Sequence, residues 1–129
     1  MDNDVFYKFI NDLFKERIEV MKSKGIEYTK GNKDKLANFK EIAQLLGLTP
    51  LQVWSVYFFK HITSILNYVR EGKVHSEPIR SRFVDAINYL ELGLALIEEV
   101  KDYQPEIAKL QTKLIKDICS PKEIFEEET

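Results

Sequence analysis

The sequence predicts an all-α fold, a single-domain bundle of about five helices. Three observations carry this expectation. Apolar residues recur at three- and four-residue spacing along most of the chain, helix-start and helix-stop signals bracket each periodic run, and no segment has the two-residue alternation of a half-buried strand. At 129 residues with 44% hydrophobic content the chain is long enough for one core.

The elements follow in order. Val5, Phe6, Phe9, Ile10, Leu13, Phe14 and Ile18 mark a first helix, capped by Asn3 or Asp4 and stopped at Gly25. Residues 25–33 (GIEYTKGNK), with two glycines and no helical period, are expected to form an ordered loop. A second helix spans 34–46, with Leu36, Phe39, Ile42, Ala43 and Leu46 inward and Gly47 as its stop. Thr49-Pro50-Leu51-Gln52 then combines a threonine cap, proline at the first helical position and a glutamine placed to close a reciprocal capping bond. The helix it opens runs to Gly72 and is apolar over more than one stripe, which suits a central element or a subunit interface. Ser76-Glu77-Pro78 opens a fourth helix to about Asp102, and Gln104-Pro105 a fifth, whose Ile107, Leu110, Leu114 and Ile118 form a narrow seam. The helical domain is thus expected over 1–119, and 120–129 as a short capped turn with an acidic, frayed tail.

Composition narrows function. Nineteen basic residues against 21 acidic give a net charge of −2, which argues against general nucleic-acid binding. The apolar stretch 53–59 is too short to span a bilayer, and the start has no basic and apolar signal pattern, so neither membrane insertion nor export is expected. Cys119 is a lone thiol, in keeping with a reducing cytoplasm, and reads as a small half-buried residue. No phosphate-binding glycine loop, dinucleotide fingerprint, zinc-protease helix, paired CxxC or serine nucleophile elbow is present.

Two polar clusters sit on otherwise apolar helices. Tyr57, Lys60, His61, Ser64 and Tyr68 form a ribbon on the third helix, and Asp85 and Asn88 fall among core positions of the fourth. Buried charge needs a partner, so Asp85 is expected either to pair with Lys60 or His61, or to hold a cation or orient a ligand. The connection 70–82 gathers Arg70, Lys73, His75, Arg80 and Arg82 around a helix start, a setting that suits a phosphate as well as a solvated loop. Residues 30–33 add cations, and Tyr28 offers a ring for stacking a base.

Glu27-Tyr28, Leu36-Ala37-Asn38-Phe39, Lys60-His61 with Ser64-Ile65, Glu77-Pro78-Ile79 and Asp85-Ala86-Ile87-Asn88-Tyr89-Leu90 together resemble small helical phage and prophage proteins of the nucleotide-modification-associated type. These are distantly similar to all-α, MazG-like nucleoside triphosphate pyrophosphohydrolases. The resemblance covers residues 24 to 98 and implies a nucleotide or nucleotide-derived phosphate ligand, with Mg²⁺ as cofactor if the chain is a hydrolase and none otherwise. Asp85 matches the aspartate of the family's second metal-binding pair, but Arg82 stands where its glutamate belongs, and Glu16 and Glu19 have the spacing of the first pair on a different helix. Arginine removes a metal ligand and adds a phosphate partner, which favours binding, such as sequestration of an immune signalling nucleotide, over turnover. The expected ligand contacts are Lys60, His61, Arg80 and Arg82 for phosphate, Asp85 and Asn88 for orientation, Tyr28 for stacking, and Glu77 beside them. A pyrophosphohydrolase and a purely structural assembly protein are the alternatives. Self-association is expected from the apolar third helix and the seam of the fifth, in the host cytoplasm if the chain is phage-encoded.

Overall fold

In a computed structural model the chain is described over residues 1–119, and the side chains over the same range except 101–108. Four helices make up the described fold: α1 (Asn3–Thr29), α2 (Ala37–Leu46), α3 (Pro50–Glu71) and α4 (Ile79–Cys119). The all-α expectation holds, with no strand among the described residues. Packing divides the chain into two compact units, residues 1–97 and 98–129. The expected tail, 120–129, lies outside the described residues.

In the first unit the core gathers on α2. Leu36, Phe39 and Ala43 pack with Val53 of α3 and Leu96 of α4, and Ile42, Trp54, Tyr89 and Leu92 close around them. Phe39 is the deepest side chain and sets its ring edge-on to both Tyr57 and Tyr89. Leu46, expected inward, is instead exposed, because the helix ends there and Gly47 turns the chain away in the left-handed region at φ 67°. In the second unit, Leu110, Leu114 and Ile118 of the expected seam are exposed, as is Cys119, which is therefore not the half-buried residue its composition suggests.

The capping signals of α3 are realised in full. Thr49 Oγ1 accepts from Gln52 N at 3.1 Å, and Gln52 Oε1 accepts from Thr49 N at 2.9 Å. At α1 the cap is Asp2, one residue before the expected pair, its carboxylate accepting from Val5 N at 2.9 Å.

Two boundaries differ from expectation. Helix α1 continues through Gly25 to Thr29, so Tyr28 lies on a helix and not in a loop. Glycine costs about 1 kcal/mol in a helix interior, but Lys35 lies across this position. Its Nζ would stand 2.2 Å from a Cβ at residue 25, and it donates to the Met21 carbonyl at 2.7 Å. Lys35 Nζ is the far end of a flexible side chain and can swing aside for a Cβ at residue 25. The stretches expected as a fourth and a fifth helix lie along one element, α4, which continues through Pro105, although proline removes one backbone donor there. Helix α2 starts at Ala37, three residues late, because Asp34 forms a turn instead: it accepts from Leu36 N at 2.9 Å and pairs with Lys40 at 2.6 Å, and these contacts hold its carboxyl below the usual range.

Trp54 fixes α3 against α4. Its indole N–H donates to the Tyr89 carbonyl at 2.6 Å, its ring stacks on Phe58 at 5.0 Å, and it lies against Gly93. A Cβ at residue 93 would stand 2.5 to 2.9 Å from three atoms of the indole. Gly93→Ala is expected to destabilise the protein by about 1–3 kcal/mol through overpacking, despite the roughly 1 kcal/mol that alanine gains in helix propensity. Thermal unfolding followed by circular dichroism, with a lowered midpoint, checks this.

Candidate functional site

Asp85 and Asn88 are the two buried polar side chains among the described residues, and both face α1. Lys24 Nζ donates to Asp85 Oδ1 at 2.7 Å. Asn88 Nδ2 donates to the Arg17 carbonyl at 3.2 Å, while its Oδ1 accepts from Arg17 Nη1 at 3.4 Å. Arg17 Nη1 also reaches Glu91 at 2.5 Å. The pairing of Asp85 with Lys60 or His61, one expectation from the sequence, is replaced by pairing with α1. The reason is the packing of α1 along α4, which brings the Lys24 ammonium within reach of Asp85.

Beside this pair is a cavity of about 50 Å³, lined among others by Lys24, Tyr28, Lys35, Asn38, Asp85 and Tyr89. A water needs roughly 10–15 Å³ by the same measure, so the space suits a few waters or one small polar group. Burial pushes the Lys35 ammonium down. Tyr89 is pushed up to about 12, first by burial and then by Tyr28, Tyr57 and Asp85 nearby, so it remains a neutral phenol in the physiological range.

His61 lies against Tyr89, with ring centroids 4.6 Å apart, and its Nδ1 is enclosed without a hydrogen-bond partner among the described residues. Its pKa is lowered, chiefly by burial. Asp85 works against that shift, while Lys24, Arg82 and Lys60 reinforce it. One carboxylate and three cations therefore act on a single imidazole, which stays neutral at pH 7.

A second pocket of about 140 Å³ opens where α3 ends and α4 begins. Ser64, Tyr68, Lys73, His75, Ser76 and Arg82 line it, with Asn67, Val74 and Glu77. Only 19% of the Arg82 side chain is exposed; it donates to Ser76 Oγ at 2.9 Å and lies 3.6 Å from Glu77. His75 pairs with Glu71 at 2.9 Å.

The expected ligand contacts therefore separate. Tyr28, Asp85 and Asn88 line the small cavity, Glu77 and Arg82 the larger pocket, and His61 is electrostatically coupled to both through Asp85 and Arg82. Arg80 joins neither: it grips Glu16 through Nε and Nη2 at 2.6 to 3.3 Å, and its guanidinium stands 5.5 Å from the centre of the Phe9 ring. Lys60 is exposed and lines neither space. Residues 30–32 border a shallow groove with Tyr28 and Asn38, so the two cationic loops serve different pockets. Sequence reasoning missed Arg17, Lys24, Lys35, Asn38 and the role of Tyr89. The Lys24–Tyr28 spacing was the available signal, obscured by reading Gly25 as a helix stop.

The donor set does not fit the magnesium that the pyrophosphohydrolase resemblance implies. No three His, Cys, Asp or Glu side chains converge among the described residues. Asp85 is engaged by Lys24, Glu16 by Arg80, and Glu19 is exposed, 3.7 Å from Lys22.

Two outcomes follow from this geometry. Lys24→Met, which leaves Asp85 enclosed and unpaired, is expected to cost on the order of 2–4 kcal/mol, and Asp85→Asn less, because the half-exposed Lys24 returns to water; urea unfolding of both variants checks the order. For His61 the folded pKa lies below the unfolded value near 6.5, so the unfolded state binds more protons in acid. No penalty is felt above about pH 6.5, and as the pH falls from there towards the folded value the wild type is expected to lose stability relative to His61→Phe, as urea unfolding at several pH values checks. Compared with family models, curated proteins and solved structures, the chain matches none.

Proposed function

We propose that this protein binds a nucleotide or nucleotide-derived phosphate ligand and holds it without turnover. The observation that carries this reading is the pocket between α3 and α4. The Arg82 side chain, four-fifths buried, lines a space of about 140 Å³ together with Lys73, His75, Ser64, Tyr68 and Ser76. Arginine presents a fork of donors that matches phosphate oxygens, hydroxyl groups add further donors, and lysine contributes a mobile charge. Glu77 competes for Arg82 from 3.6 Å, and a dianionic phosphate displaces so loose a contact.

The nucleotide character of the ligand rests on the sequence resemblance. Tyr28, which lines the separate smaller cavity, is about half exposed and offers a ring face on which a planar group can stack. Holding the ligand intact follows from the donor set, in which each carboxylate that a hydrolase would give to magnesium is already bonded to a cation or stands apart. In a phage-encoded protein such a pocket serves to sequester a signalling nucleotide of host defence. Magnesium-dependent pyrophosphate release is the alternative.

The test incubates the protein with nucleoside triphosphates and cyclic nucleotides in the presence of Mg²⁺, and analyses both the solution and the material released by heating. The expected result is intact bound nucleotide with no pyrophosphate. Arg82→Gln is expected to weaken binding by about 10- to 100-fold, the loss of one or two charge-assisted hydrogen bonds, whereas Arg80→Gln leaves it nearly unchanged, because Arg80 is engaged with Glu16. Calorimetric titration of both variants measures the difference.

A further inference from the structure

Helix α3 is apolar on both sides, and only one side is used. Val53, Trp54, Tyr57 and His61 face the first unit. On the other side Val56, Phe59 and Leu66 are exposed by 67%, 70% and 54%. A helix that is hydrophobic all round belongs in the interior of something larger than its own fold unit.

The spacing on this outer side identifies what covers it. Gln52, Val56, Phe59, Thr63, Leu66 and Arg70 recur at intervals of four and three, so they form one straight stripe at the heptad period. The stripe is also palindromic. The spacing reads the same from either end, as in any heptad stripe of this length, and the residue types match at 52 with 70 and at 56 with 66, while the central pair sets Phe59 against Thr63. Reversing α3 about residue 61 brings 52 onto 70, 56 onto 66 and 59 onto 63. An arbitrary partner needs no such symmetry, whereas an isologous two-fold contact requires the surface to complement its own reversed copy.

We infer that α3 docks antiparallel against α3 of a second copy of this chain, with Val56 packed on Leu66 of the second copy and Phe59 on its Thr63. The apolar part of the seam carries no charge, and Gln52 and Arg70 close its two ends with polar rim. Antiparallel pairing also sets the positive N-terminal end of each helix beside the negative C-terminal end of the other. The bare apolar side chains, with Val69 at the shoulder, amount to on the order of 400 Å² per copy, about half of what one partner contributes to a standard interface, and the flanking polar residues supply the remainder. This surface lies on the opposite side of α3 from His61 and Tyr57, so the inference stands or falls independently of the ligand.

The test uses the full chain. Sedimentation equilibrium is expected to give a dimer for the wild type and a monomer for Phe59→Glu, with helicity retained because the side chain is mostly in water. In a Cys119→Ser background, Val56→Cys with Leu66→Cys is expected to form covalent dimers under mild oxidation, while either cysteine alone does not. Within one copy the two positions are about 15 Å apart along the helix, beyond disulfide reach. A monomeric wild type, a Phe59→Glu variant that remains dimeric, or failure of the double-cysteine dimer to cross-link overturns the inference.

Discussion

The contact between Lys24 and Asp85 is the one on which the arrangement of α1 depends. Helix α1 is 27 residues long and contributes no fully buried side chain; Leu13, Ile18, Val20 and Met21 are half-buried, so apolar packing holds it only in part. The rest of its attachment is polar: Lys24 on Asp85, Arg17 on Asn88 and Glu91, Glu16 on Arg80, and the Met21 carbonyl on Lys35. Among these, the Asp85 contact has the most at stake, because its carboxylate is nearly enclosed and a buried unpaired charge is far costlier than a surface pair is favourable. The Arg17–Asn88 link is as enclosed but involves a neutral amide, while the Glu16–Arg80 and Met21–Lys35 links are more exposed and more readily exchanged for water.

The same pair organises the electrostatics of the neighbouring interior. His61 is pressed onto Tyr89 and feels Asp85 against Lys24, Arg82 and Lys60. Burial chiefly keeps the imidazole neutral, and with the charge of Asp85 balanced by Lys24 the cations Arg82 and Lys60 act in the same direction. The half-buried Tyr89 adds a donor without adding charge, since it stays protonated in any physiological range. The region is polar and cationic without being a carboxylate cluster, which is why phosphate binding is a better match to it than metal-assisted hydrolysis.

Helix α3 links the two halves of this reading. Its inner side anchors Trp54, whose indole requires Gly93 on α4, and it carries His61 to the point where both pockets are felt. Its outer side is the palindromic stripe. A single helix thus fixes the core, borders the cationic pocket through Ser64 and Tyr68, and carries the exposed apolar stripe on which the proposed dimer rests.

The sequence by itself determined the local events whose causes lie within a few residues. The Thr49–Gln52 capping box, the glycine stops at 47 and 72, the inward placement of Phe39 and Ala43, and the presence of Asp85 and Asn88 on the core side of their helix were all legible, because each depends on helical spacing or on a cap. Tertiary structure decided what spacing cannot encode. Gly25 reads as a stop, yet the helix continues to Thr29 with Lys35, ten residues on, folded back over it, and Lys24 gains its partner from α4, 61 residues away. Arg80 and Arg82, two residues apart, point to different partners, Glu16 and the pocket at Ser76, since successive helical positions diverge by about 100°. The identity of a buried carboxylate's partner is a long-range choice, made by whichever cation the packing brings within reach.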